Sequence, residues 1–389
     1  MRTMSDTIAH LTALGARPGG PFANLRTPGQ PTGRLAALAD FGSNPGGLRA
    51  HYYRPADLPD GAPLVVVLHG CKQNAGEYDH RAGWSQLADQ AGFALLYPEQ
   101  HHGNNPNLCF NWFRPRDARR DSGEALSIRQ MIATMVETHG LDRDRVFVTG
   151  LSAGGAMANV MLATYPELFA GGAIIAGLAY GTATTVPEAF DCMRGQGTSS
   201  DEELWALLRE ASAHGGPWPR VAIWQGAADH TVAPSNADDI AAQWRSVHHL
   251  GEAPTHEEVS GGRARRIWCN GAGEVVIELN TVAAMGHGTP LGKDLGVPGP
   301  YMLDVGISST REIARFWSIE APQKPAAASS PMRKKNSPAT LPVPAPQSPH
   351  QGRKRETAAP PTSSGRSATG VDSVKRVIEQ ALRGAGLMR

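Results

Sequence analysis

The sequence predicts an α/β protein with a mostly parallel sheet and helices on both faces. Three short apolar runs, each bounded by turn residues, are typical of strands that are buried on both sides: Leu64–Leu68, Phe93–Tyr97 and Val146–Thr149. Segments with helical spacing separate these runs. Strands that alternate with helices favour a parallel sheet.

The elements before residue 141 can be assigned in order. Residues 1–34 are rich in Gly and Pro without a sustained period, which indicates an irregular arm. Leu35–Phe41 and Leu48–Tyr53 flank an Asn-Pro-Gly-Gly turn and predict a hairpin. Apolar residues then repeat at three and four positions from Trp84 to Ala91. A second helix is predicted between the cap candidate Ser122 and Gly140.

The alternation continues through the second half of the chain. The predicted elements are a helix at Ala153–Tyr165, strands at Gly172–Ile175 and Val221–Trp224, a hairpin of Arg265–Trp268 with Val275–Leu279, and a closing helix at Thr310–Trp317. The stretch from Tyr180 to Gly216 is less regular, with a short helix indicated at Glu202–Glu210. We therefore expect a single globular body over residues 35–319.

The composition changes at Glu320. Pro, Ala, Ser and basic residues dominate residues 320–370, which predicts a disordered linker. Residues 371–389 regain a helical period with one apolar face, and this predicts an amphipathic helix that docks on the body, on a partner or on an apolar surface.

Charge and hydropathy limit the classes of binding partner and the locations that the sequence supports. A formal net charge of +1 with 19% charged residues gives no indication of nucleic-acid binding. No apolar run approaches the roughly 20 residues of a transmembrane segment. Residues 1–20 lack the uninterrupted apolar stretch of a secretory signal, so the sequence itself favours a cytoplasmic protein, another export route or a different start site.

The segment Gly150-Leu151-Ser152-Ala153-Gly154 fits the pattern G-x-S-x-G. It follows a predicted strand and precedes a predicted helix, which is the context of the nucleophile turn in an α/β-hydrolase fold. A free N–H at the start of that helix suits a developing oxyanion. We therefore predict Ser152 as a catalytic nucleophile.

A serine nucleophile needs a base that is oriented by an acid. In α/β-hydrolases the chain order is serine, acid, histidine, with the last two on loops after later strands. Asp229 follows the strand Val221–Trp224 and is the predicted acid, whereas His287 in a Gly-flanked loop is the predicted base. The alternative acids follow no convincing strand: Asp191, Asp201, Asp238 and Asp239.

The oxyanion requires a second donor. His69-Gly70-Cys71 directly follows the strand Leu64–Leu68, where the contributing loop of this fold lies. The backbone N–H groups of Cys71 and Ala153 are the candidates. The sequence contains no cluster with metal-ligand spacing and no phosphate-binding loop after the first strand, and a triad needs no cofactor.

Four segments together resemble the poly(3-hydroxybutyrate) (PHB) depolymerase family of esterases, in particular its extracellular type 1 catalytic domains. They are Leu68-His69-Gly70-Cys71-Lys72-Gln73, Cys109-Phe110-Asn111-Trp112-Phe113, Gly150-Leu151-Ser152-Ala153-Gly154-Gly155 and Met285-Gly286-His287. The family is similar to feruloyl and acetylxylan esterases, and the resemblance covers roughly residues 35–319.

The resemblance implies hydrolysis of short-chain polyhydroxyalkanoates or related esters through an acyl-enzyme on Ser152, Asp229 and His287. It further implies an extracellular location, in contrast to the N-terminal sequence. It suggests a disulfide between Cys71 and Cys109 and a second between Cys192 and Cys269, whereas four reduced thiols are the alternative. Candidates for an apolar acyl pocket are Trp112, Phe113 and Tyr180.

Three alternatives remain open at this stage. The same machinery serves a carboxylesterase for feruloyl or acetyl esters, or a transferase that passes the acyl group to an acceptor other than water. A non-catalytic protein could retain the fold and bind a surface through its basic tail. With an active enzyme, the same tail would hold it on a polyhydroxyalkanoate granule.

Overall fold

The computed structural model describes residues 33–197 and 199–320. The predicted arm up to residue 32, the linker at 321–370 and the helix at 371–389 lie outside the described residues. The described residues up to Glu320 belong to one compact unit.

A ten-stranded sheet forms the centre of this unit, in the spatial order β1-β2-β4-β3-β5-β6-β7-β10-β9-β8. Its strands are Ala36–Ala37 (β1), Arg49–Tyr53 (β2), Leu64–Leu68 (β3), Ala94–Glu99 (β4), Val146–Leu151 (β5), Gly171–Ile175 (β6), Arg220–Gly226 (β7), His256–Ser260 (β8), Arg263–Cys269 (β9) and Val275–Val282 (β10). From β4 to β10 every neighbouring pair is parallel, whereas the pairs at both edges are antiparallel. The predicted fold class, an α/β-hydrolase with a mostly parallel sheet, is confirmed.

Helices cover both faces of the sheet. They are Ala75–Ala82 (α1), Trp84–Ala91 (α2), Gly123–His139 (α3), Ala153–Thr164 (α4), Val186–Met193 (α5), Asp201–Glu210 (α6), Ser235–Val247 (α7) and Ser309–Phe316 (α8). A 3₁₀ turn at Pro166–Leu168 follows α4, and a two-stranded parallel ladder joins Thr289–Leu291 (β11) to Met302–Asp304 (β12).

The core has two apolar clusters, one on each face of the sheet. In β3, Leu64, Val66 and Leu68 belong to the cluster that contains residues of α3, α4 and α7. The intervening Val65 and Val67 belong to the cluster with residues of α1, α2 and α8. This alternation follows from the two-residue period of a strand, and it explains why β3 is apolar throughout.

Several local predictions differ from the structure. The predicted strand Leu35–Phe41 is reduced to Ala36–Ala37. His256 begins β8, an exposed edge strand that pairs with β9 and that was not predicted. The short helices α1 and α5 were not predicted. A strand such as β8 has no buried face and therefore no apolar alternation to indicate it. In the described residues, no helix combines the length and the apolar character that a membrane crossing requires.

Candidate active site

Ser152 lies in the sharp turn between β5 and α4. Its backbone has φ 58° and ψ −120°, a conformation that non-glycine residues rarely adopt. The Ser152 N–H donates to Ile175 O (2.9 Å) and the Ser152 carbonyl accepts from Ala156 N (2.8 Å). Backbone bonds therefore hold the serine in the strained turn that raises a nucleophile above the sheet edge.

Close backbone contacts explain two glycines of the G-x-S-x-G pattern. A Cβ at Gly150 would lie 2.3 Å from Gly154 O, and a Cβ at Gly154 would lie 2.3 Å from Leu68 O. No side chain fits at such separations, so β3, β5 and α4 approach one another only because both positions are glycine.

Asp229 and His287 lie in the loops that follow the neighbouring strands β7 and β10. His287 Nδ1 and Asp229 Oδ2 are 2.7 Å apart, and both side chains are largely buried. A close approach joins the two loops, since a Cβ at Gly226 would lie 2.3 Å from Met285 O. The structure thus brings together the predicted acid and the predicted base.

Three further hydrogen bonds hold the Asp229 carboxylate. Asp229 Oδ1 accepts from the N–H groups of Thr231 (2.8 Å) and Val232 (2.9 Å). Gln225 Nε2 donates to Oδ2 (3.1 Å). Because all of these partners are donors, we assign an ionised carboxylate that accepts the Nδ1–H of His287. The Nε2 of His287 is then left free to accept a proton.

In the described residues, no hydrogen bond joins the Ser152 hydroxyl to His287. The serine side chain is half-buried, on the loop side of the same sheet edge. Serine–histidine bonds are often longer in free enzymes than in their complexes with substrate.

The predicted oxyanion loop follows β3. His69 is buried, and its Nε2 accepts from the Gln100 N–H (3.1 Å), so its Nδ1 carries the proton and donates to Gly70 O (2.8 Å). Burial lowers the pKa of His69, in keeping with a neutral ring. Neither the Cys71 N–H nor the Ala153 N–H donates a hydrogen bond within residues 33–197 and 199–320. Both donors are therefore available to a ligand.

A disulfide joins Cys71 to Cys109, which are separated by 38 positions in the sequence. The second predicted pair is wrong, because Cys192 and Cys269 are separate thiols. Cys192 lies in α5 with its Sγ 3.3 Å from Thr182 O, whereas Cys269 ends strand β9. The family resemblance suggested this second pair, and a disulfide would require the two Cβ atoms to lie within about 4.5 Å of each other.

Reduction of the Cys71–Cys109 disulfide should lower the free energy of unfolding by roughly 3–4 kcal/mol, the chain-entropy contribution of a loop of this size. Denaturant unfolding with and without reductant measures the effect. The Cys192→Ser/Cys269→Ser double variant is the matched control and should keep the full sensitivity to reductant. Titration of four free thiols in the folded, unreduced protein would contradict the pairing.

Trp112 belongs to the apolar cluster on the side of α3, α4 and α7, and Phe113 and Tyr180 pack against that cluster. Trp112 is buried and its ring packs edge-on against Phe113 at 5.5 Å. Tyr180 is half-buried, and its backbone N–H and carbonyl both bind the Gln243 amide (2.9 and 3.0 Å). A role of these three side chains in substrate binding remains a prediction.

Three of the four alternative acids have other partners. Asp191 pairs with Arg194 (2.5 Å), Asp201 with Arg245 (3.5 Å) and Asp238 with Arg266. Gln225, which supports Asp229, was not predicted. Its signal is a polar side chain at the end of the apolar run Val221–Trp224, directly before the acid loop.

A cleft of about 1020 Å³ lies elsewhere, at the amino ends of β7 and β10, and is lined in part by Arg220, Val275 and Phe316. Ligands of open α/β sheets bind at the carboxyl ends of the strands, where Ser152, Asp229 and His287 are, so this cleft is not the ester site. The described residues contain no group of three or more His, Cys, Asp or Glu that could hold a metal ion.

Comparison with known proteins gives a consistent set of relatives. Residues 48–264 match the family model described as esterase PHB depolymerase. The chain is 42% identical over 292 residues to poly(3-hydroxyalkanoate) depolymerase C of Paucimonas lemoignei, which covers 73% of this chain and 70% of that protein. It is 32% identical over 269 residues to an acetylxylan esterase of Coprinopsis cinerea, with coverage of 67% and 70%. The structure of an acetyl xylan esterase from Aspergillus awamori superposes with a TM-score of 0.64 at 25% identity, covering 74% of this chain and 100% of that one.

Proposed function

The chain belongs to the PHB depolymerase family of esterases and is a carboxylic ester hydrolase, and from that premise we propose that it cleaves short-chain hydroxyalkanoate esters through an acyl-enzyme on Ser152. The observation that carries the proposal is the 2.7 Å contact between His287 Nδ1 and Asp229 Oδ2. Both residues follow strands of the parallel sheet, at the edge where Ser152 occupies its strained turn.

In the acylation step, Ser152 Oγ attacks the ester carbonyl carbon and its proton passes to His287 Nε2. The Asp229 carboxylate keeps the His287 ring in the required tautomer and stabilises its charged form. The negative charge on the carbonyl oxygen is stabilised by the N–H groups of Cys71 and Ala153 and by the amino end of α4. Collapse of the tetrahedral intermediate breaks the bond to the alcohol oxygen, which takes the proton from His287.

Deacylation repeats the sequence with water. His287 Nε2 removes a proton from the water molecule, whose oxygen attacks the acyl carbon. The same two N–H groups stabilise the second oxyanion, and His287 then returns the proton to Ser152 Oγ. The products are a carboxylic acid and an alcohol, and the residues named supply every proton transfer.

The 42% identity to a polyhydroxyalkanoate depolymerase supports hydroxyalkanoate esters as the substrate class. A second candidate is an acetyl ester of a polysaccharide, which the acetylxylan esterase relatives support at lower sequence identity. Both substrates react through an acyl-enzyme on the same serine but leave different acyl groups on it, so the side chains that face the acyl and alcohol groups would distinguish them.

We expect the enzyme to release acid from 3-hydroxybutyrate dimers and trimers and from p-nitrophenyl butyrate. We expect kcat/KM for these oligomers to be at least tenfold higher than for acetylated xylo-oligosaccharides. Titration of released acid, with the Ser152→Ala variant as the control for every substrate, measures the comparison. Preference for the acetylated xylo-oligosaccharides would move the substrate to the second candidate and leave the mechanism in place.

The C-terminal tail enters this proposal on its sequence alone. Its basic clusters, Lys334-Lys335 and Arg353-Lys354-Arg355, and its final helical pattern support contact with a polyester granule. A chain that ends at Glu320 should then keep its turnover of soluble esters and lose its co-sedimentation with granules. Full co-sedimentation of the shortened chain would contradict a role of the tail in granule binding. Analysis of the products formed in the presence of alcohol acceptors separates hydrolysis from acyl transfer.

A further inference from the structure

Glu124 is a buried carboxyl group that has no part in the reaction steps above. It is the second residue of α3 and its exposed fraction is 0%. Its Oε2 accepts from the Asn111 N–H (2.8 Å), and its Oε1 accepts from Asn111 Nδ2 (2.6 Å) and Gln100 Nε2 (2.7 Å), with Asn104 Nδ2 at 3.3 Å. One carboxyl group thus binds three residues of the irregular segment that follows β4, on both sides of Cys109.

Backbone groups fix which way each amide in this cluster faces. Gln100 Nε2 donates to Cys109 O (3.1 Å), and Gln100 Oε1 accepts from the His101 N–H (3.1 Å). Asn105 Oδ1 accepts from the Cys109 N–H (3.3 Å), so Asn105 Nδ2 donates to Asn111 Oδ1 (3.0 Å). Asn111 Nδ2 is consequently the donor to Glu124. The carboxyl group therefore faces donors only and fits the cluster as an acceptor.

Two routes connect this cluster to Cys71. In the first, the Gln100 N–H bonds His69, and His69 bonds the carbonyl of the Gly70–Cys71 peptide. The N–H of a trans peptide points opposite to its carbonyl, so this bond also sets the direction of the Cys71 N–H. In the second route, Glu124 holds Asn111, and the segment before Asn111 is tied to Cys71 by the disulfide from Cys109.

We propose that Glu124 is a positioning residue that holds the Cys71 N–H in the geometry required to bind the oxyanion. This inference rests on the proposed role of the Cys71 N–H in ester hydrolysis. Glu124 touches neither substrate nor the reacting atoms, and its effect is transmitted through Gln100, Asn111 and the disulfide.

The energetics of the site support a role other than stability. Burial raises the pKa of Glu124 to about 7, against the lowering effect of the Asn111 N–H. The ionised group therefore carries a desolvation cost that an apolar residue of similar volume would avoid. The carboxylate holds several hydrogen-bond donors in place at once, which an apolar side chain cannot do.

The test is the Glu124→Gln variant at pH 8, above the pKa of the carboxyl group. The new amide must turn its NH₂ toward the Asn111 N–H or toward the donors at Oε1, so one bond becomes a donor–donor contact. We expect kcat for p-nitrophenyl butyrate to fall roughly 10- to 100-fold, less than the loss of a complete oxyanion donor, with KM unchanged within about twofold.

Binding of n-butylboronic acid provides a second readout that a merely structural role would not move. Ser152 Oγ bonds to boron, its proton passes to His287, and a hydroxyl on the tetrahedral boron takes the oxyanion position. The affinity of Glu124→Gln for this probe should fall by the same factor as its kcat. The matched control is Glu278→Gln, because Glu278 is also buried but bonds Arg265 and Asn280 instead. It should keep both kcat and boronate affinity within about twofold of wild type.

A Glu124→Gln variant with a lower melting temperature but wild-type kcat and boronate affinity would overturn the inference, as would a change confined to KM. If this variant does not fold, Asn111→Ala removes only the side-chain hydrogen bonds of Asn111 in the same cluster. It should lower kcat and boronate affinity together by about fivefold. Equal values for Asn111→Ala and wild type would also overturn the inference. Turnover by Ser152→Ala would instead overturn the proposed function and the inference with it.

Discussion

Replacement of Ser152 by alanine should lower kcat for p-nitrophenyl butyrate by about five to six orders of magnitude, while the fold is retained. Loss of a serine nucleophile removes the covalent route, and the remaining oxyanion donors and binding groups give only weak catalysis. The variant should show no initial burst of p-nitrophenol, since no acyl-enzyme can form. Stopped-flow and steady-state measurements on wild type and variant check both statements.

The structure explains why this substitution should leave the fold unchanged. The hydrogen bonds that hold the turn, to Ile175 O and from Ala156 N, use only backbone atoms of Ser152. Alanine has the same φ preference as serine, so the strain at φ 58° is not increased. The melting temperature and circular dichroism spectrum should therefore match wild type. Residual kcat above about 1% in such a folded variant would exclude Ser152 as the nucleophile.

The parts of the fold that could be predicted from sequence are those whose burial is complete. Strand β3 and most of β5 lie inside the sheet with helices on both faces, and their apolar runs indicate this directly. Strand β8 is exposed along its whole length and exists because β9 offers a free edge. Strand β9 begins only three residues after β8, across the turn Gly261-Gly262, so the local signal is this glycine pair and not an apolar period.

The candidate site likewise contains residues that the sequence predicts and residues that it does not. Ser152, Asp229 and His287 follow strands at one edge of the sheet, so the chain order of the fold suffices to select them. The cluster around Glu124 has no comparable signal, because its amides are scattered over an irregular loop and their roles depend on bonds to backbone groups. The family resemblance likewise suggested a second disulfide, whereas Cys192 and Cys269 are separate thiols on α5 and β9.

The Asp229→Asn variant should lower kcat by about four orders of magnitude at neutral pH, and the hydrogen bonds of the carboxylate explain why. Asp229 Oδ1 accepts from two backbone N–H groups, of Thr231 and Val232. The single oxygen of an asparagine will face these two donors, because the opposite orientation would leave both without an acceptor. The new NH₂ group then replaces Oδ2 and faces His287 Nδ1. It donates to Nδ1, which places the ring proton on Nε2, so His287 can no longer accept the proton of Ser152.

Two controls separate this tautomer effect from a general loss of charge. Asp238→Asn changes one of the alternative acids, which pairs with Arg266 at the surface, and should alter kcat by no more than about twofold. Gln225→Ala removes the side-chain amide that donates to Asp229 but leaves the carboxylate and its bond to His287. This variant should therefore lower kcat far less than Asp229→Asn does. Near-normal turnover by Asp229→Asn would show that another group orients His287. The contact at Gly226 holds the loops of Asp229 and His287 together, so such a group would have to reach the His287 ring from the surrounding loops. The alternative acids Asp191 and Asp238 could do so only after they leave Arg194 and Arg266.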